Sequence, residues 1–413
     1  MLIQYSVENY KSIRDEIIIN FSADMNARDS EWIINDNHYN RDIYKAIGLF
    51  GPNASGKSNI VESLLFALRF INGTISRKDS SKISVEPFML DIDSKNKPTS
   101  FEFIIYSEGI KYVYGFSVNT ERVIDEYLMA YYSAKATTIF NRSDCTHYEF
   151  KGNDVKLQNE ISQKTNLNRL YLPVASEWGY KKGKPVYDWF VNSFRQYNEL
   201  KIGELIESVV KNQSEKEVLL NVLKKSDFNI SNIFVKRHSI EKSQRDFFSQ
   251  LMSNFILQSG KDIDEFRIPE STPIIYLTHR SADGLEFSIP IEEDSAGTIE
   301  LIYNIAELLY LGHGGGLFIE DELGKAYHTK LSHYFLNTFK QKSINRGNAQ
   351  MLFTSHNTSL LNCVNPDQIY LVDKDVHGST FVKLLDDYII REKDNIELGY
   401  LKGRYGAIPY IKE

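Results

Sequence analysis

One stretch constrains this chain more than any other: Gly51-Pro52-Asn53-Ala54-Ser55-Gly56-Lys57-Ser58, which satisfies Gly-x-x-x-x-Gly-Lys-Ser/Thr in full. Glycines at both ends let the backbone bend so that several N–H groups point inward at phosphate oxygens. Lys57 adds a cation for the β- and γ-phosphates, and the Ser58 hydroxyl can ligate Mg²⁺. Before the loop runs Tyr44–Phe50, a nearly continuous apolar stretch of the kind found in a strand covered on both faces. After it, Ile60, Leu64, Leu65, Leu68 and Ile71 recur at helical spacing, so a helix from Lys57 would aim its positive end at the same anion. This strand–loop–helix setting predicts a nucleoside triphosphate site rather than a glycine-rich turn. A guanine-reading Asn-Lys-x-Asp is not matched: the nearest string, Asn96-Lys97-Pro98-Thr99, lacks the Asp, which makes ATP the expected nucleotide.

Three more stretches carry chemistry. Gly316-Leu317-Phe318-Ile319-Glu320-Asp321-Glu322 reads as a buried strand ending in three acids, which are tolerable at a strand's C-terminal end facing Mg²⁺ and water. There Asp321 would orient Mg²⁺, mostly through a water, and Glu322 would polarise the attacking water. Glu320 stands where an apolar residue is expected. Upstream, Asp294-Ser295-Ala296-Gly297-Thr298 precedes an apolar helix with Leu301, Ile302, Ile305 and Leu308. Alone it reads as a simple N-cap, but a Ser and a free helix N-terminus can also bind a γ-phosphate held by another subunit. Thr354-Ser355-His356-Asn357 follows the strand Gln350–Phe353, and places His356 to hydrogen-bond the γ-phosphate.

Around these motifs the chain alternates in character. Leu2–Val7 and Ile17–Phe21 alternate as strands; Phe101–Tyr106, Lys111–Asn119, Arg122–Tyr132 and Thr138–Arg142 suggest an antiparallel β subdomain. Residues 186–263 have helical periodicity, with Leu205, Ile206, Val209 and Val210 on one apolar face and Phe247, Phe248, Leu251, Met252, Phe255 and Ile256 on another. From Pro273 strands and helices alternate, implying a mostly parallel sheet. The expected fold is α/β: a split P-loop head with an N-terminal half (1–98), an antiparallel β subdomain (99–155), a helical insertion (156–265) and a C-terminal half (266–413).

Composition narrows the function classes. With 48 Lys+Arg against 55 Asp+Glu the formal charge is −7, which argues against broad nucleic-acid coating. The clusters Lys181-Lys182-Gly183-Lys184 and Lys236-Arg237-His238 read mainly as solvated surface, with direct nucleic-acid contact left open. Two cysteines, Cys145 and Cys363, exclude a disulfide framework. The start, Met1–Glu8, has no basic n-region and no apolar run approaches membrane-spanning length, so a cytoplasmic protein without a membrane segment is expected. His313-Gly314-Gly315-Gly316 imitates an esterase oxyanion loop but has no Gly-x-Ser-x-Gly nucleophile to serve.

Taken in order, these residues resemble ABC-class ATPase heads of the SMC, RecF and OLD type, and more closely the RloA/AbiLi-type ATPases of bacterial abortive-infection operons. The resemblance is carried by Glu8-Asn9-Tyr10-Lys11-Ser12-Ile13 and by Asn53-Ala54-Ser55-Gly56-Lys57-Ser58-Asn59. It continues through Tyr112-Val113-Tyr114-Gly115-Phe116 with Glu126 and Leu128, then Ser295-x-Gly297-Thr298, Asp321-Glu322 and His328. Thr354-Ser355-His356-Asn357, Asp373-Lys374 and Tyr400-Leu401-x-Gly403-Arg404-Tyr405-Gly406-Ala407-Ile408-Pro409 complete it.

The resemblance implies an Mg²⁺-dependent ATPase in which two heads sandwich two ATP molecules. Ser295 and Gly297 of one head, within the Ser295-x-Gly297-Thr298 signature, would reach the nucleotide on the other, and His356 would be a switch histidine. Leu323-Gly324-Lys325-Ala326 takes the D-loop place without its usual Ser-Ala-Leu-Asp form. Members of that family typically act with a separately encoded nuclease-like effector. The favoured expectation is therefore an ATP-dependent homodimeric or higher-order switch that controls such an effector in anti-phage defence. The alternative is a RecF/SMC-like repair ATPase that clamps DNA directly. A scaffold using ATP as structural glue is a third reading.

Overall fold

The computed structural model describes residues 1–23, 29–35, 42–193, 199–226, 229–259, 269–391 and 394–409. The fold is mixed α/β and separates into two compact units. The first comprises residues 1–195, 315–323 and 348–413; the second comprises 196–314 and 324–347.

The first unit holds a five-stranded sheet with spatial order Leu317–Glu320, Gln350–Ser355, Ala46–Phe50, Ile369–Lys374, Thr380–Leu384. The first four are parallel and the last pairs antiparallel at the edge. Every residue of Ala46–Phe50 is buried, as a central strand covered on both faces requires. Parallel strands deliver their C-terminal ends to one edge, where the segments after Phe50, Glu320, Ser355 and Lys374 emerge together.

A second sheet in the same unit has seven antiparallel strands in the order His147–Phe150, Thr137–Ser143, Val123–Tyr131, Ile110–Val118, Thr99–Ser107, Leu2–Glu8, Ile17–Asn20. The β segment after residue 99 is thus continuous with the opening strands of the chain, because Leu2–Glu8 pairs directly with Thr99–Ser107. The helix Lys57–Gly73 packs on Leu2–Glu8 and on Gln350–Ser355. Tyr5 and Ser63 hydroxyls meet at 2.8 Å, and the Phe66 ring lies 5.5 Å from that of Phe101. Ile60, Leu64 and Ile71 are fully buried on this helix, each contributing roughly 1.5–3 kcal/mol.

Glu126 is fully buried in this unit and accepts from the Tyr114 hydroxyl at 3.0 Å and from the Tyr171 and Leu172 N–H groups at 2.5 and 2.8 Å. Burial pushes its carboxyl pKa up, while Arg142 at 3.8 Å pulls it back. This bonding fastens the helix Tyr171–Glu177 to the sheet, a structural use of a residue that the family resemblance singled out.

The second unit combines the helices Glu199–Lys211, Gln213–Lys225, Lys242–Ser259, Ala296–Gly314 and Thr329–Lys340 with an antiparallel sheet of Ile230–Ser239, Ser271–Arg280 and Glu286–Pro290. Ile230–Ser239 falls where helical periodicity predicts a helix. Its buried residues, Ile230 and Ile233, are three apart because a register shift interrupts the pairing between Ile230 and Asn232. That irregularity imitates a helical repeat. Leu205, Ile206 and Val209 are buried, as their face predicts, and their helix packs on Ala296–Gly314. Phe247, Phe248 and Leu251 lie instead at the surface, each at least half exposed; Met252, Phe255 and Ile256 fall outside the residues whose side chains are described. Among the described residues no helix is long and apolar enough to cross a membrane.

Candidate nucleotide site

The loop 51–56 joins the central strand to the helix Lys57–Gly73. Gly56 has φ +106° and Ala54 φ +63°, a turn that bends backbone N–H groups toward one point. A Cβ on Gly51 would sit 2.1 Å from the Val372 carbonyl oxygen, and one on Gly56 would sit 2.0 Å from Thr380 Oγ1. Both glycines are therefore demanded by close approach to the neighbouring strands.

A hydrogen-bond chain braces the loop from behind. Asn59 Nδ2 donates to Ser12 Oγ at 2.6 Å, and Thr380 Oγ1 donates to the Ser55 carbonyl at 3.0 Å. Since Thr380 has only one hydroxyl proton, its 2.7 Å contact with Ser12 is donated by Ser12. Ser12 belongs to the opening segment Glu8–Ile13; Thr380 carried no signal that sequence reasoning could use.

Lys57 is buried, and its ammonium donates to the Gly51 and Pro52 carbonyls at 2.8 and 2.9 Å. Burial lowers its pKa to about 8, against the opposing pull of Asp321 and Glu322. The Ser55 hydroxyl is buried with no hydrogen-bond partner. An orphaned hydroxyl, a cation and a loop too tight for side chains together fit an oxygen-rich anion.

Across the cleft, Glu320 is the last residue of its strand, in register with Phe353, so Asp321 and Glu322 lie in the turn beyond it. Thr354 organises them: its Oγ1 donates to Asp321 Oδ1 at 2.6 Å and accepts from the Glu322 N–H at 2.7 Å. The next residue, Leu323, donates its N–H to the Thr354 carbonyl at 2.8 Å. Glu322 has φ +64°, a left-handed conformation that costs a non-glycine residue on the order of 1–2 kcal/mol. The Thr354 bonds hold it there. Glu322 Oε1 lies 3.9 Å from His356 Nε2. Burial, then Lys57, lowers the His356 pKa below its ordinary value, so the imidazole is neutral at pH 7.

Asn53–Asn59, Glu322, His356 and Lys374 line a cleft of about 570 Å³, all within the first unit. Lys374, at the end of its strand, adds a cation that sequence reasoning had noted only as part of Asp373-Lys374. Among the described residues no three His, Cys, Asp or Glu side chains gather as a metal cage. The oxygen donors Ser58 and Asp321 suit Mg²⁺, which binds through one or two protein groups together with substrate phosphates.

Ser295, Gly297 and Thr298 belong to the second unit. Ser295 Oγ accepts from the Thr298 N–H at 3.1 Å and meets Thr298 Oγ1 at 2.7 Å, while Asp294 Oδ1 accepts from the Ser295 N–H at 2.6 Å. Ser295 is thus an N-cap residue with its exposed face outward. His328 caps the helix Thr329–Lys340, its Nδ1 accepting from the Lys330 N–H at 3.2 Å. His313 pairs with Glu215 at the end of its helix, and Gly314–Gly316 turn into the acidic strand. The basic clusters are partly neutralised: Lys182 pairs with Asp154, Lys184 with Asp188 and Arg237 with Glu207.

Residues 47–362 match the family model described as "AAA domain, putative AbiEii toxin, Type IV TA system". The "Retron Vc95 probable ATPase" of Vibrio cholerae serotype O1 biovar El Tor is 22% identical over 375 residues, covering 79% of this chain and 68% of that protein. Among solved structures, an Smc head bound to the C-winged helix domain of ScpA aligns with TM-score 0.42 and 13% identity, covering 92% of this chain and 96% of that one. A Pyrococcus furiosus Smc head domain with an extended coiled coil, bound to the C-terminal domain of ScpA, gives TM-score 0.40 and 11% identity over 92% and 95%.

Proposed function

The chain belongs to the AAA-domain family described as putative AbiEii toxin, type IV TA system, and from that premise we propose that it is an Mg²⁺-dependent ATPase whose nucleotide-bound copies close on one another. The observation that carries this reading is the convergence of Lys57, Glu322, His356 and Lys374 on one cleft. The loop N–H groups, Lys57 and the N-terminus of its helix hold the β- and γ-phosphates. Ser58 and Asp321 would hold Mg²⁺, which would supply positive charge to the phosphates when bound. Glu322, fixed by Thr354, accepts a proton from the attacking water, and neutral His356 hydrogen-bonds the γ-phosphate. Ser295, outward at the start of Ala296–Gly314, meets the γ-phosphate bound to a second copy.

Closure driven by ATP and opened by hydrolysis makes the protein a switch, since a partner that binds one state better shifts the population. The partner in this reading is a separately encoded, nuclease-like effector; the toxin–antitoxin description of the family and the retron ATPase relative support it. The test is sedimentation of the Glu322→Gln chain with ATP and Mg²⁺. A nucleotide-dependent dimer is expected, and a monomer that turns over at full wild-type rate would remove the model. A second reading, direct clamping of DNA, is favoured by Lys236, whose ammonium lies 5.4 and 5.2 Å from the stacked rings of Phe234 and Tyr276. It requires ATP turnover to rise on adding DNA and to lose that rise with salt; the effector reading requires neither.

A further inference from the structure

Strand order gives the nucleotide cleft two unlike flanks. The central strand Ala46–Phe50, which feeds the phosphate loop, lies between Gln350–Ser355 on one side and Ile369–Lys374 on the other. On the first flank stand His356, one residue past its strand, and Glu322, whose Oε1 is 3.9 Å from His356 Nε2. On the opposite flank Lys374 ends its strand, exposed and in register with Thr380, and lines the same cleft. The two flanking strands are two strand spacings apart, about 10 Å, so the groups at their ends address different parts of one ligand. The Lys374 flank is fitted closely to the loop. Thr380 Oγ1 donates to the Ser55 carbonyl at 3.0 Å, and a Cβ on Gly51 would meet the Val372 carbonyl oxygen at 2.1 Å. These contacts fix the end of Ile369–Lys374 against the loop without using the Lys374 ammonium, which among the described residues makes no ion pair. The Lys57 ammonium, by contrast, donates to the Gly51 and Pro52 carbonyls.

We propose that Lys374 binds the α-phosphate of the nucleotide and so fixes the direction in which it lies, γ-phosphate toward Glu322 and His356, sugar and base toward Lys374. This rests on the reading that the cleft binds ATP with its γ-phosphate at His356. With the γ-phosphate on that flank and the β-phosphate inside the loop, the α-phosphate is the anionic group carried toward the end of Ile369–Lys374. An ammonium on a flexible four-carbon stem meets such a group as a point charge. The flanks then divide the work. Groups beside Glu322 respond to the γ-phosphate, whereas Lys374 holds a group that ATP and ADP share. It keeps nucleotide in the cleft without telling the two apart.

The experiment measures, by calorimetry with Mg²⁺, the binding of ADP and of the β,γ-imido analogue of ATP to wild type, Lys374→Ala and Lys374→Arg. Lys374→Ala should weaken both ligands by the same factor, about tenfold, as the loss of one charged hydrogen bond predicts. Lys374→Arg keeps the charge and should stay within about threefold of wild type. The deficit of Lys374→Ala should shrink as salt is raised, because the lost contact is between charges. A loss for the ATP analogue alone would put Lys374 at the γ-phosphate, and a deficit that ignores salt would put it at the sugar or base; either result overturns the inference. Should Lys374→Ala not fold, the wild-type chain decides. ADP and the analogue must protect Lys374 equally from an amine-acylating reagent, and protection by the analogue alone, or by neither, overturns the inference. A wild type that binds neither nucleotide overturns the parent reading as well, whereas a wild type that binds both beside an unimpaired Lys374→Ala overturns this inference alone.

Discussion

The phosphate-loop region and the signature region handle polar groups in opposite ways. In the first unit Lys57, Ser55 and Thr354 are buried; Thr380 ties the loop to its neighbouring strand, and Thr354 separately ties the acidic turn to its own. In the second unit Ser295 and Ala296 are exposed, and among the described residues Ser295 is bonded within Asp294–Ile299. Burying a polar network is costly unless every member finds a partner, so the orphaned Ser55 hydroxyl and the depressed Lys57 pKa mark where an anion belongs. Exposure at Ser295 costs nothing and leaves a capped helix start available to something arriving from outside. On the proposed reading, one region holds nucleotide and the other meets a second copy.

That contrast can be broken experimentally, beginning with the region proposed to hold nucleotide. Lys57→Ala should weaken ATP binding by about 100-fold or more, since it deletes the cation that answers the phosphates; calorimetry with ATP measures it, and retained affinity would dissolve the contrast. Ser295→Arg should leave single-chain ATP affinity within about twofold while lowering ATP-driven association by at least about tenfold, the cost of placing an unmatched cation in a contact. Light scattering with and without ATP reads this out. If Ser295→Arg instead abolishes nucleotide binding, the signature belongs to the holding region.

Two smaller effects sharpen the same line. Thr354→Val keeps the shape but strips the hydroxyl from Asp321 and from the Glu322 N–H. Leaving a buried donor unpaired costs about 1–3 kcal/mol, so a lower melting temperature and roughly tenfold slower turnover are expected, with ATP affinity little changed. The pH effect is smallest. Phosphate binds the protonated form of Lys57 and raises its pKa, so binding takes up a proton and affinity falls as pH rises through the free value of about 8. Between pH 7.5 and 8.5 the loss should be about threefold for a bound-state pKa well above that range. Lys57→Arg, charged throughout, should flatten the profile.

Much of the first unit was legible before any coordinates. Alternation along Leu2–Val7 and Phe101–Tyr106 predicts their strands, and the apolar run before Gly51 predicts a central one. What escaped is instructive. A bulged pairing gave Ile230–Ser239 a helical spacing, and an exposed apolar face made Phe247, Phe248 and Leu251 look like core. The cleft itself was legible as motifs, but Thr354 had no stated role and Thr380 none at all.

The proposed chemistry was read from runs of adjacent residues: a phosphate-loop motif of eight positions, an acidic turn after an apolar strand, a capped helix start. Local spacing carries those because backbone conformation and side-chain type act within a few residues. The tertiary structure alone decided which distant residues complete them, since the bonds that do so join Thr354 to Glu322 across 32 positions and Thr380 to Ser55 across 325. It also decided that Ser295 and Glu322 belong to different units. Such partnerships depend on strand order in a folded sheet, which no stretch of adjacent residues encodes by itself.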